Sequence, residues 1–288
     1  MKTYNELYLE TRRTLRAAGI SGSDLEARLI IMSAAGKTRE ELLNVNRLYV
    51  TDKNTMPAVE DMTRRRLEGE PVAYIVGEWE FYGIPIKVNE NVLIPRIDTE
   101  LLAGEAIRLL KSRGGAGKVL DLCSGSGCIG LAIASNLPGC RVVLVDNSEQ
   151  AHSLSRMNMI NNNLSRNVTP ILADVLDLPP AIMSEYDMIV SNPPYIPTRD
   201  LESLDVTVRD YEPVNALDGG PDGLYFFRAI TTNWVSILKQ GGILAFECGA
   251  GQAEDAKTIM SDAGFIGIEI LKDTQGIDRV VTGIKNLC

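Results

Sequence analysis

From Lys118 onward the chain alternates short apolar runs with helical segments, and this alternation limits the fold more than any other feature. Lys118 to Leu122 reads as a strand and Ile129 to Ser135 as the start of a helix; Arg141 to Asp146 and Glu149 to Asn161 repeat the pair. Thr169 to Leu172 and Asp187 to Val190 supply two more strands. Leu224 to Lys239 reads as a helix, Gly242 to Glu247 as a strand and Ala253 to Ala263 as a helix, before two closing strands at Ile266 to Leu271 and Arg279 to Ile284. Seven strands interleaved with helices predict an α/β domain with a mostly parallel sheet covered on both faces. In an open sheet of this kind ligands sit beyond the C-terminal ends of the strands.

The preceding residues have a different period. Residues 4 to 69 read as helices only, with Tyr4, Leu7, Tyr8, Thr11, Leu15 and Ala18 on one face. Ser23…Glu26 and Thr38…Glu41 are capping-box patterns, and Thr55-Met56-Pro57 opens a fourth helix that ends near Gly69. Tyr74 to Val88 alternates apolar and polar residues around glycines and reads as a β-hairpin. Val92 to Glu100 follows, with Asp98 or Thr99 as the cap of a helix through Leu110. We therefore expect a helical substrate-docking domain over 1–70, a β-hairpin linker over 71–96 and the α/β domain over 97–288.

Bulk properties exclude several classes. A hydrophobic fraction of 45% and a charged fraction of 23% suit an ordinary folded domain. Twenty-nine basic against 38 acidic residues give a net charge of −9, which argues against a general nucleic-acid binder. The N-terminal residues have no apolar signal core and no run approaches a membrane span, so we expect a cytoplasmic protein without membrane contact. Cys123, Cys128, Cys140, Cys248 and Cys288 are loosely spaced and odd in number, which favours reduced thiols over disulfides or a zinc site. The single histidine, His152, falls in a predicted helix; histidine triads and multi-histidine metal sites are therefore not expected.

Two stretches carry chemistry. Val119 to Gly130 is a strand, a small-residue turn (Cys123, Ser124, Gly125, Ser126, Gly127) and a helix start, with Asp146 ending the next strand. Such a turn lets a ligand approach the backbone, and an acid at the end of the second strand suits ribose hydroxyls. On these residues alone, a dinucleotide and S-adenosyl-L-methionine both remain possible. Asp121 could serve the methionine end or fix the loop, and Asp174, followed by Val175, could accept from an adenine amine or act as a turn acid.

The second stretch is Ser191-Asn192-Pro193-Pro194-Tyr195-Ile196, at the end of the fourth strand. Methylating an amide or aromatic amine requires that a delocalised nitrogen lone pair be localised and aimed. Acceptors on its two N–H groups do this, and the Asn192 side-chain oxygen and Pro193 carbonyl can supply both. Pro193 and Pro194 stiffen the segment and Tyr195 can pack on a planar group. Catalysis would then rest on orientation and electrostatics instead of a tuned base, in keeping with a chain that has no candidate histidine.

Asn192 to Tyr195 together with Asp121…Gly127 resembles the amino-methyltransferases that act on adenine, cytosine or glutamine. Glu70 to Gly77, Phe81-Tyr82-Gly83, Val92 to Arg96, Asp98-Thr99-Glu100, Tyr211-Glu212-Pro213, Ala216-Leu217, Gly219-Gly220, Asp222-Gly223-Leu224 and Glu247-Cys248-Gly249 are similar to blocks of the HemK/PrmC family. The resemblance covers essentially the whole chain. It implies a class I, Rossmann-like, S-adenosyl-L-methionine-dependent domain without metal. It also implies a protein-(glutamine-N5) methyltransferase whose acceptor is the Gly-Gly-Gln glutamine of class 1 peptide chain release factors, and a monomer. By the same resemblance, Cys123 to Gly127 and Asp146 would line the methyl donor, and Asn192, Pro193, Pro194 and Tyr195 would hold the acceptor amide; Asp121, Asp174, Val175 and Asn192 are added as candidate donor-binding residues. Three positions depart from the pattern: Cys123 stands where glycine is usual, Ile97 where proline is, and Val175 where some members carry an aromatic. An adenine N6-methyltransferase on DNA or RNA and a non-catalytic release-factor-binding module are the competing readings.

Overall fold

The computed structural model describes residues 1–287, which divide into two compact units; Cys288 lies outside the described residues. The first unit comprises Met1–Glu78 together with Asp205–Tyr211 from later in the chain. It is built from α1 (Tyr4–Ala17), α2 (Ser23–Ala35), α3 (Arg39–Val45), α4 (Thr55–Leu67) and α5 (Val72–Val76), joined by a short helix at Val206–Arg209 that is α9 in chain order. Tyr4, Leu7, Thr11 and Leu15 bury one face of α1, as their spacing predicts. Tyr8 is half-buried beneath the guanidiniums of Arg12 and Arg28, 5.7 and 5.9 Å from its ring centre, and Ala18 is exposed.

Two local readings of this unit change. Thr38 and Glu41 form their capping box, but Ser23 does not cap α2. Ser23 is buried inside the first turn, Gly22 takes the cap position, and Glu26 reaches Arg66 at 2.6 Å. A true capping box at Thr3 and Glu6 starts α1. The predicted strand over Tyr74–Val76 is instead part of α5. Val72, Ala73, Tyr74 and Ile75 are all buried, so no alternating face exists there; the Pro71 carbonyl starts the turn and Gly77 at φ 71° ends it.

The second unit holds Trp79–Leu204 and Glu212–Cys288. A hairpin of β1 (Glu78–Phe81) and β2 (Ile84–Lys87) leads to α6 (Thr99–Ser112). Then come β3 (Ala116–Leu122), α7 (Cys128–Asn136), β4 (Gly139–Asp146), α8 (Glu149–Asn161), β5 (Val168–Leu172), β6 (Tyr186–Ser191), α10 (Tyr225–Ala229), β7 (Leu238–Glu247), α11 (Ala253–Asp262), β8 (Phe265–Lys272) and β9 (Asp278–Lys285). The seven-stranded sheet has the order β5-β4-β3-β6-β7-β9-β8, with β5 through β7 parallel and β9 antiparallel to both its neighbours. This is the mostly parallel α/β sheet expected from the alternation, in the Rossmann-like arrangement that the family resemblance implies.

The chain runs outward from β3 to β5 and returns to β6 on the other side of β3, so strand order reverses between β3 and β6. The crevice at such a reversal is the ligand edge of a doubly wound sheet. Leu122 pairs with Ser191, whose hydroxyl donates to the Leu122 carbonyl at 2.7 Å. Cys123 and Asn192 therefore leave the sheet side by side.

The helix predicted over Leu224–Lys239 is broken. Tyr225–Ala229 is α-helical, Ile230–Trp234 widens into a π-turn, Val235–Ile237 tightens, and β7 already begins at Leu238. Thr231 bonds back to the Phe227 carbonyl at 2.8 Å, and the fully buried Trp234 donates its indole N–H to the Val175 and Asp177 carbonyls at 3.0 Å. Such side-chain demands commonly distort a helix ladder.

Candidate active site

A cleft of about 860 Å³, counted to its open mouth, lies at the reversal point. Of the predicted residues, Cys123, Ser124, Gly125, Ser126, Asp146, Val175, Asn192 and Pro194 line it; Asp121, Gly127, Pro193, Asp174 and Tyr195 stand outside its wall.

The turn after β3 is shaped by its backbone. Cys123, Gly125 and Gly127 have φ of 57°, 53° and 81°. For Gly125 a side chain would enter open space beside the cleft, whereas a Cβ on Gly127 would come within 2.9 Å of Leu144. Of these three, only Cys123 holds the left-handed conformation with a side chain, at a steric cost of roughly 1–2 kcal/mol. Its thiol is driven well above its ordinary pKa, first by burial and then by the Asp146 charge, and stays protonated. Among the described residues Cys123, Cys128, Cys140 and Cys248 are free thiols.

Asp146 braces the turn. Its Oδ2 accepts from Gly125 N–H at 2.8 Å and its Oδ1 from Ser148 N–H at 3.0 Å. Burial raises its pKa, opposed by those same N–H groups. Asp121 is fully buried and accepts from Gly130 N–H at 2.8 Å through Oδ2; its Oδ1 and the Ser124 hydroxyl oxygen have no partner. Burial, with the Asp146 charge adding to it, pushes Asp121 to about 7 against the Gly130 bond. Asp174 holds Asn147 at 3.0 Å and the Leu176 N–H at 2.9 Å.

At the other wall, Asn192 donates its Nδ2–H to the Thr99 hydroxyl at 3.3 Å, which leaves Oδ1 to accept. The Tyr195 phenol is held protonated, its pKa raised by burial and then by Glu247. The Tyr195 carbonyl accepts from Gln252 Nε2 at 2.8 Å, and Gln252 Oε1 in turn accepts from Gly249 N–H at 2.9 Å. Ile196 N–H donates to the Leu217 carbonyl and Gly219 N–H to the Ile196 carbonyl, so the segment after Tyr195 is bonded on both edges.

Sequence reasoning missed several cleft residues. Thr99, read as a helix cap, lines the cleft; Asp98 holds the N-cap position without a side-chain cap bond. Pro95 and its neighbours are tied down by Glu212, which accepts from Ile94 N–H and pairs with Arg96. Phe226 stands in the same wall as Val175. The signals for Thr99 and Glu212 were present in the family blocks that contain them; Phe226 had none. His152 sits on α8, partly covered and outside the cleft. Among the described residues no group of three or more His, Cys, Asp or Glu is arranged to hold a metal ion, and no helix is long and apolar enough to cross a membrane.

The sheet order, with a glycine turn and a buttressed Asn-Pro-Pro-Tyr segment at its reversal point, is that of a methyltransferase fold. Residues 99–208 match the family described as "Methyltransferase small domain", and residues 6–77 match "PrmC N-terminal domain". The release factor glutamine methyltransferase of Geobacter sulfurreducens is 40% identical over 273 residues, 95% of this chain and 93% of that protein. The protein of the same name from Thermodesulfovibrio yellowstonii is 40% identical over 224 residues, 77% of this chain and 79% of that one. The chain belongs to the release factor glutamine methyltransferase family. Its fold is shared by the hMettl16 catalytic domain, solved in complex with MAT2A 3′UTR hairpin 6 (TM-score 0.58, 15% identity, 79% of this chain and 82% of that one). A methyltransferase from Pyrococcus furiosus shares it too (TM-score 0.52, 17% identity, 79% and 99%).

Proposed function

We propose that this enzyme transfers a methyl group from S-adenosyl-L-methionine to the side-chain amide nitrogen of the Gly-Gly-Gln glutamine in class 1 peptide chain release factors. The observation that carries the reading is the Asn192 carboxamide: its N–H₂ end is occupied by Thr99, so its oxygen remains to accept from an N–H donor in the cleft. The names of its relatives support a release-factor acceptor.

The cleft fits the donor. Ser124 Oγ is buried and unpartnered in the wall, Gly125 leaves space above its backbone, and Ala173, Val175 and Phe226 offer an apolar wall for a ring. In this reading Cys123 to Gly127, Asp146 and Phe226 hold the donor, with Asp121 fixing the loop and Asp174 orienting Asn147. When bound, S-adenosyl-L-methionine supplies an electrophilic methyl. Asn192 Oδ1 and the Pro193 carbonyl accept the two amide N–H bonds, which localises the nitrogen lone pair and aims it. The N-methylated amide is strongly acidic until it loses a proton, so water suffices as acceptor. That agrees with a site whose Cys123 thiol and Tyr195 phenol are both held protonated.

Residues 1–70 would dock the release factor, with 71–96 as connector and 97–288 as catalytic domain. The test is a mass spectrum of a release factor after incubation with enzyme and labelled donor. A single added methyl on the Gly-Gly-Gln glutamine is expected. Label on nucleic acid alone, or donor binding without turnover, overturns the reading.

A further inference from the structure

Asp98-Thr99-Glu100 reads in the sequence as a helix start and as one of the family blocks, yet Asp98 makes no side-chain cap bond. Glu100 accepts from the Tyr82 N–H of the hairpin turn at 2.8 Å. Thr99 is 2% exposed and turns toward Asn192. A carboxamide is nearly symmetric in shape, and an Asn192 turned end for end would set its own N–H₂ group against the N–H₂ of an acceptor amide. Its orientation is set by what lies behind it.

Behind it is a one-way relay. The Thr99 hydroxyl has a single hydrogen and accepts from Asn192 through a lone pair, which requires that its own hydrogen go elsewhere. Glu247, at the end of β7, follows the residue paired with Ser191 and is 2% exposed; its Oε2 is buried without a partner, and its carboxyl lies within electrostatic reach of the Thr99 hydroxyl and the Tyr195 phenol. An ionised carboxylate can only accept. We propose that Thr99 and Glu247 are positioning residues that fix which end of the Asn192 carboxamide faces the acceptor, an inference that rests on the function proposed above. While Glu247 is ionised, Thr99 donates to it and presents its lone pair to Asn192. Once Glu247 is protonated it can itself donate to Thr99, which frees the hydroxyl hydrogen and removes the bias.

The charged and titratable groups around Glu247 are Arg279 from β9, Asp98 before α6, the Tyr195 phenol, and the thiols of Cys248 and Cys128. Arg279 favours the carboxylate but is shared with Asp273 at 3.1 Å and Asp98 at 3.9 Å. Burial wins and Glu247 sits at about 7.

The experiment uses the full-length enzyme with a release factor acceptor, and compares Thr99→Val, Thr99→Ser and Glu247→Gln with the wild type. Thr99→Val is expected to lower kcat by about tenfold or more, with acceptor KM and donor Kd within about threefold, because only orientation is lost. Thr99→Ser restores kcat to within about threefold of wild type. Wild-type kcat declines as pH falls below about 7, and Glu247→Gln flattens that limb. Equal losses in Thr99→Val and Thr99→Ser, or a loss that follows donor affinity or thermal stability, overturn the inference. A readout independent of the acceptor is the side-chain NH₂ signal of Asn192 in a nitrogen-resolved spectrum. Slow exchange in wild type and Thr99→Ser with fast exchange in Thr99→Val supports the relay, and unchanged exchange in Thr99→Val overturns it. If the wild type leaves the release factor unmethylated while that exchange pattern holds, the proposed function fails and the relay stands.

Discussion

At the scale of single residues the proposed chemistry rests on Asn192 and on the turn after β3. Under the proposed function, Asn192→Ala removes the one side-chain acceptor for the incoming amide but leaves the β3 turn intact. We expect kcat to fall by about 10²–10³-fold, with donor affinity changed by less than about threefold. Isothermal titration alongside steady-state kinetics checks this, and parallel losses would mean that Asn192 serves the donor instead. Cys123 is the second case. It carries a side chain at φ 57°, so Cys123→Gly relieves about 1–2 kcal/mol of backbone strain while adding unfolded-chain entropy and removing a half-buried thiol. Stability within about 1 kcal/mol of wild type and equal or tighter donor binding are expected from urea titrations and calorimetry. Both residues were legible as site candidates, because each interrupts a strand-to-loop transition with an unusual residue type. Thr99 was legible only as a cap and as part of a family block; its place beside Asn192 came from packing.

At the scale of elements, the hairpin is fastened to the turn after β3 through α8. Asn158, fully buried, accepts from Lys87 N–H at 2.7 Å and donates to the Lys87 and Ser126 carbonyls at 3.0 and 2.9 Å. One side chain thus connects β2 to the glycine turn, and Asn162 adds a bond to the Pro85 carbonyl at 2.9 Å. Asn158→Ala strands buried backbone groups and should cost about 2–4 kcal/mol in urea unfolding while weakening donor binding. A loss below about 1 kcal/mol with unchanged binding would show that the hairpin and turn are independent. No local pattern marks Asn158, since an amide within a helix looks like a surface residue until its partners are known. The strands and most helices were legible from their periods. The exceptions, α5 and the broken helix at Tyr225–Ile237, are places where burial on every side or a buried tryptophan overrode the periodic signal.

For the whole molecule, the buried acids couple folding to pH. Asp121 is raised to about 7 by burial, so between about pH 4 and 7 the folded chain holds a proton that the unfolded chain has released. Stability therefore falls as pH rises through that window, and the penalty is complete above it. Asp121→Asn keeps an oxygen for the Gly130 N–H but cannot ionise. Relative to wild type, it should gain about 1–3 kcal/mol between pH 5 and pH 8 in denaturant titrations. A difference that stays flat with pH would place the Asp121 titration elsewhere. The helical unit offers a second test at this scale. A chain starting at residue 79, with 205–211 replaced by a flexible linker, should keep donor binding and lose release-factor methylation; retained methylation would deny that unit a docking role.

The sequence by itself determined the layered α/β plan, the helical N-terminal region, the glycine turn and the Asn-Pro-Pro-Tyr segment. Each of these is written in local terms: periodicity, breakers and residue types that a strand end does not otherwise tolerate. Tertiary structure alone decided which neighbours complete the site. Thr99, Glu247, Gln252, Glu212 and Phe226 come from separate stretches, and only the pairing of β3 with β6 and β6 with β7 gathers them around the strand ends. Hydrogen-bond partners, buried acids and the resulting pKa shifts depend on distances between chain-remote atoms, which no local pattern encodes.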